Sequence, residues 1–262
     1  MEITAESLIL DIKLTRQMVN YMQNITYSQP LGQMNELIKL EMDIIKPVVN
    51  TNKLPAVIFV TGGGFVSSPK SNYLQQRLQI AEAGYVVASI EYRKIPAGVF
   101  PAGATNCYSQ FDKGDNLNQS SDVQAVIDIY GLSDLATVGE DFSKEVQEAH
   151  RNPASPEALW LNGVTLSSEI KSVNDIPEKV KAANPMTYIS KNTPPFLLLH
   201  GDKDMLVSPS QTEKLHRALV TKGVDSTRYV VKGAAHGGEY WVQPEVIKVI
   251  IDFLDKNLKN KK

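Results

Sequence analysis

Three short stretches of the 262-residue chain carry residue types able to do chemistry. Thr61-Gly62-Gly63-Gly64-Phe65 follows the apolar run Ala56–Val60. Three glycines let a backbone turn sharply and aim bare N–H groups at one point, an arrangement that holds an oxyanion as charge develops in acyl transfer. A Gly-rich strand-to-loop turn without chemistry accounts for the same residues, and the spacing is not that of a phosphate loop. His200-Gly201-Asp202-Lys203-Asp204 closes the run Phe196–His200. Either Asp202 or Asp204 is placed to orient a histidine and stabilise its cation, although a turn with solvated acids is the plainer reading of each alone. Gly233-Ala234-Ala235-His236-Gly237-Gly238 follows Thr227–Lys232. Of the four histidines, His150 lies in a polar stretch with no companion, His200 ends a strand and reads as structural, and His216 falls inside a helical pattern. Only His236 combines a flexible small-residue loop with a strand end, the setting of a general base.

The elements that must position these loops alternate. Ile38, Leu40, Met42 and Ile44 interleave with Lys39, Glu41 and Asp43, the period-two pattern of an antiparallel strand near a sheet edge. Ala56–Val60, Val86–Ile90, Ala125–Tyr130 and Phe196–His200 are short and apolar throughout, as strands of a helix-covered parallel sheet are. Helices are expected over Asn72–Ala83, with Leu74, Leu78 and Ala81 inward and Gly84 as the stop, from a cap at Ser208, and from Pro244 with Val246, Ile250, Phe253 and Leu254 inward. Strand–helix alternation predicts a doubly wound, mostly parallel α/β sheet. Residues 1–262 read as a single domain, with 136–190 as a cap insertion.

The segments PAVIFVTGGGF, GYVVASIEYRKIP, FPA, VQAVIDIYGLSDL, PPFLLLHGDKDMLVSPSQ and KGAAHGG together resemble the carboxylesterases of the α/β-hydrolase superfamily. Within it the chain is most similar to the bifunctional acetylxylan/feruloyl esterase-like (BD-FAE-like) and hormone-sensitive-lipase-like branches. The resemblance implies an α/β-hydrolase fold and a carboxylic ester hydrolase acting on small acyl esters, acetyl or feruloyl esters of carbohydrates among them. It also implies that Gly62, Gly63 and Gly64 form the oxyanion hole, with Asp204 as the triad acid and His236 as the base. Thr61 stands where the family most often has histidine. An inactive binding relative and a prolyl-oligopeptidase-type peptidase share this layout.

One part of the pattern is missing. The family places a nucleophile on a G-x-S-x-G turn, and the 262 residues contain none; Gly131-Leu132-Ser133-Asp134-Leu135 has the first half only. Residues 94–122 show neither helical nor strand periodicity, where two helices, a strand and their loops, roughly 45 residues, are expected. The nucleophile strand of the sheet is therefore expected to be absent, with an interruption near residues 101–105. Cys107 is a remote substitute for the serine.

Composition excludes several classes. The net charge of −2 argues against nucleic-acid partners, and the single cysteine against an intramolecular disulfide or a Cys-rich zinc site. Neither a cofactor, a metal nor a membrane span is expected, and the partner is a small-molecule or carbohydrate ester. The N-terminus lacks the pattern of a signal peptide, which predicts a cytoplasmic protein, or a secreted or periplasmic one if a signal has been removed.

Overall fold

The computed structural model describes residues 7–32, 35–48, 53–100, 118–164 and 171–259. Cys107 and the interruption expected near 101–105 lie outside the described residues.

The apolar runs become strands. Among the described residues, β1 (Val19–Ser28), β2 (Leu40–Pro47), β3 (Ala56–Val60) and β4 (Val86–Ile90) form a sheet in the order β1-β2-β4-β3. β5 (Val126–Ile129), β6 (Phe196–Gly201) and β7 (Ser226–Val231) form a second sheet in chain order. β3 is parallel to β4, and β5, β6 and β7 are parallel to one another. β2 is antiparallel to both its neighbours.

The Ile38–Ile44 pattern marks an antiparallel strand next to the sheet edge, as expected; the edge itself is β1, which sequence patterning does not reveal. Register shifts at Met22/Ile25 and Thr26/Ser28 disrupt the ladder, so inward residues recur at every third position instead of every second. As the expected absence of the nucleophile strand implies, the described strands form two sheets: among the described residues, β3 and β5 are each hydrogen-bonded along one side only, and Ile58 and Val60 of β3 are 61% and 59% exposed. These are the two edges that loss of an intervening strand would leave.

A shared core spans the break. Val57 and Phe59 of β3 and Ile127 and Ile129 of β5 pack against the same buried cluster, which includes Ile45, Tyr85, Val87, Leu197 and Leu199. The helices α1 (Leu74–Glu82) and α6 (Pro244–Leu254) contribute Ile80, Ala81, Val246, Ile250 and Leu254 to it. The predicted inward face of α1 is rotated. Leu74 is exposed, while Gln76, Arg77, Ile80 and Ala81 are buried, because the Arg77 guanidinium donates to the carbonyls of Ser71 and Asn72 at the helix entrance. On the opposite face of the second sheet, α5 (Ser210–Thr221) packs Leu215 and Leu219 against Leu198. A third cluster stands apart: α2 (Lys144–Arg151), α3 (Pro156–Asn162) and α4 (Pro177–Ala183) surround Leu135, Val138, Ala158, Leu161, Val173 and Val180. His150, expected without a companion, lies in α2 and pairs with Glu157 at 3.0 Å. No helix among the described residues is long and apolar enough to cross a membrane.

Candidate active site

The acid and histidine loops leave the carboxyl ends of adjacent parallel strands, where ligands of open α/β sheets gather. Backbone and side-chain bonds tie the two loops together. Asp202 Oδ1 accepts from the Gly233 amide at 2.6 Å, and Lys203 N donates to Ala234 O at 3.0 Å. The crossing needs glycine at 201, since a Cβ there would meet Ala234 O at 2.1 Å. Asp202 is thereby committed to the loop and Asp204 to the histidine: His236 Nδ1 donates to Asp204 Oδ2 at 2.8 Å. A carboxylate only accepts, so Nδ1 carries the proton and Nε2 is the basic nitrogen of His236.

Asp204 is buried, yet its charge is fully supported. Its Oδ1 accepts from the amides of Leu206 and Val207 at 2.9 Å each, and His200 Nε2 lies 3.2 Å from Oδ2. Burial pushes the carboxyl up, but the hydrogen bonds from His200, His236, Val207 and Leu206 outweigh it and hold the acid well below the usual carboxylate range. His236 keeps about a quarter of its side chain exposed. Tyr130 packs on its ring at 4.5 Å, and Trp241, buried, meets Tyr130 edge-on at 4.7 Å while donating its indole N–H to Ala235 O. Trp241 belongs to the core cluster. Burial, Tyr73 and the Asp204 charge raise the Tyr130 hydroxyl above its ordinary value, so it is a neutral hydrogen-bonding group and not an anionic nucleophile.

The glycine turn leaves the carboxyl end of β3. Gly63 O accepts from Val66 N and Ser67 N, and a Cβ on Gly63 would meet Ser67 O at 2.1 Å. Gly64 has φ +57°, whereas Gly62 has open space around it. Among the described residues, the amides of Gly62, Gly63 and Gly64 donate to no backbone acceptor. Tyr92 anchors the turn, donating to Thr61 O at 2.9 Å. A relay of rings leads from this turn to the histidine. Phe59 meets Tyr73 at 5.9 Å, Tyr73 lies close enough to Tyr130 to help raise its hydroxyl, and Tyr130 packs on His236.

No serine, threonine or cysteine hydrogen-bonds to His236 among the described residues. Ser133, half of a nucleophile turn in sequence, is buried and donates to Gln211 O at 2.6 Å, which commits it to structure. The Gln211 side chain accepts from the Ser133 and Asp134 amides and donates to Thr137 O, while Ser208 Oγ, at the expected cap, accepts from Ser210 N.

The BD-FAE family profile matches residues 42–112 and 103–219. The two pieces meet inside the stretch where the sequence loses its periodicity. Esterase LipC of Mycobacterium tuberculosis is 23% identical over 216 residues, covering 71% of this chain and 54% of LipC. Esterase LipQ of the same organism is 37% identical over 62 residues, 24% of this chain and 15% of LipQ. The chain thus spans about half the length of LipC and less of LipQ. Among solved structures, a truncated carbohydrate esterase from gut microbiota superposes with TM-score 0.73 at 19% identity, over 91% of this chain and 96% of that one. A thermophilic esterase from Thermogutta terrifontis gives TM-score 0.62 at 17% identity, over 89% and 94%. The fold is that of the α/β-hydrolase esterases.

Proposed function

The chain belongs to the BD-FAE family, and from that premise we propose that it carries the acid–base and oxyanion parts of a carboxylic ester hydrolase. The substrates are small acyl esters, with acetyl and feruloyl esters of carbohydrates the first to test. One observation carries the reading: the His236–Asp204 hydrogen bond of 2.8 Å fixes the tautomer that leaves Nε2 basic. In this reading a serine hydroxyl, from a segment absent from the 262 residues, attacks the ester carbonyl and passes its proton to His236 Nε2. Asp204 stabilises the imidazolium, and the Gly62, Gly63 and Gly64 amides receive the oxyanion. His236 then protonates the leaving alcohol, and water repeats the sequence on the acyl-enzyme. The helices within 136–190 cap the glycine turn. In support, Trp160 of α3 stacks on Phe65 at 4.7 Å and meets Phe100 at 5.4 Å.

A second reading has one observation in its favour: the sequence holds no G-x-S-x-G. In it, the 262 residues bind esters without turnover. Treatment with a fluorophosphonate probe, followed by intact mass, separates the two. A covalent adduct on a serine upholds the hydrolase. An unlabelled protein of 28.9 kDa rejects hydrolysis and leaves the binding reading.

A further inference from the structure

Asp204 has a second imidazole against it. His200, the penultimate residue of β6, is fully buried, and its Nε2 lies 2.9 Å from Val207 O and 3.2 Å from Asp204 Oδ2. A carbonyl and a carboxylate are both acceptors, so Nε2 must carry a proton. Nδ1 lies 3.0 Å from Thr212 Oγ1, which itself receives the Arg228 Nε–H at 3.1 Å. The Thr212 hydroxyl also donates to Pro209 O at 3.3 Å. These contacts fix Nε2 as a protonated nitrogen facing Val207 O and Asp204.

We propose that His200 is a positioning residue for the acid: its Nε2–H, held between Val207 O and Asp204 Oδ2, sets the carboxylate that His236 uses. The geometry gives it two grips. Through Val207 O it closes from inside the same loop whose Leu206 and Val207 amides clasp Oδ1. Beside Oδ2, it places a donor on the one oxygen that His236 shares. An apolar side chain of similar volume would fill the space and leave both Val207 O and Oδ2 short of a donor in a buried site. The Val207 carbonyl would then no longer be tied down, the amides that clasp Oδ1 would lose their brace, and the setting of Oδ2 against His236 would loosen. Asp128, on the neighbouring strand β5, is the other charged group that senses His200. Thr212 and Arg228 approach from α5 and β7.

The consequence for turnover rests on the ester-hydrolase reading, but the contact is measured without turnover. The probe is the imidazole N–H region of proton NMR spectra of the 15N-labelled full chain, where a His236 Nδ1–H bonded to a buried carboxylate resonates well downfield. Its assignment comes from its loss in His236→Gln. In His200→Leu, with folding checked by circular dichroism, the resonance is expected to vanish or move upfield. His200→Gln, whose amide N–H reaches the position of Nε2–H, is expected to restore it. Should His200→Leu fail to fold, His200→Asn, which keeps a polar group near Thr212 and loses the Nε2 donor, is expected to show the same loss. A folded His200→Leu or His200→Asn with the resonance unmoved overturns the proposal. Absence of the resonance in the unaltered protein would instead reject the acid–histidine pair itself. A failed fluorophosphonate reaction with the resonance responding as expected would reject hydrolysis and leave the positioning role standing.

Discussion

The acid–histidine region and the glycine-turn region end strands of the same architecture, yet they are finished to different degrees. Around Asp204 every polar atom is answered: two amides, two imidazoles, and a loop-to-loop bond through Asp202. Around Gly62–Gly64 the strand behind the turn is an open edge, with Ile58 and Val60 exposed. The difference teaches that this half of the site needs no nucleophile strand to assemble. Its geometry is set by β6, β7, α5 and the Trp241 support. The glycine turn relies on Tyr92 and on contacts with Phe100 and Trp160 instead.

The largest expected effect tests whether the finished side depends on its aromatic support. Trp241→Ala removes a buried ring and the bond to Ala235 O. It should cost about 3–5 kcal/mol in urea unfolding and weaken the His236 Nδ1–H resonance. A loss below that of an exposed-site substitution would show that the loop holds itself.

Two acids in this region should respond to pH in opposite directions. The Asp204 carboxyl lies below its unfolded value, so its contribution to stability is present above about pH 4 and is lost as the pH falls through the depressed value. Desolvation pushes the half-buried Asp128 up to about 6, against the Gly131 amide and His200, which pull it down. Its contribution is greatest below about pH 4 and is lost as the pH rises through about 6. Asp128→Asn keeps an acceptor for the Gly131 amide and should stabilise the fold by about 1–3 kcal/mol at pH 7, with little change at pH 4. Thermal melts at the two pH values measure it. Equal effects at both would mean that Asp128 is not held protonated.

On the open side, the glycines should separate. Gly63→Ala forces Cβ against Ser67 O and should cost about 1–3 kcal/mol, whereas Gly62→Ala should stay within about 0.5 kcal/mol, by chemical denaturation. Equal costs would show that the turn relaxes as a unit. Smallest of all, Ile58→Lys at the β3 edge should change stability by no more than about 0.5 kcal/mol while reducing binding of a hydrophobic dye. Unchanged dye binding would mean that the exposed edge is covered in solution.

Much of this was legible in the chain. The short apolar runs gave the parallel strands within a residue or two. The choice of Asp204 over Asp202 followed from its place in a recognisable motif, and His236 stood out by its loop. Residues that serve the site through contact were not legible. His200 looks like any strand-end histidine, Tyr130 like any strand-end aromatic, and Gln211 like a helix-capping residue. Their roles come from partners distant in sequence, such as Thr212, Tyr73, Ser133 and Thr137. β1 escaped because its bulges destroy the period that patterning depends on.

The amino-acid order by itself settled the class of fold, the loops that hold the reactive groups and the absence of a G-x-S-x-G, since each depends on local periodicity or on residue identity. Only the folded chain decided which tautomer His236 takes, what steadies the acid from behind, how Asp202 ties the two loops together and that β1 forms the sheet edge. Those depend on where separate strands bring their ends and on how many donors a buried oxygen can find there, quantities with no counterpart along a single strand of sequence.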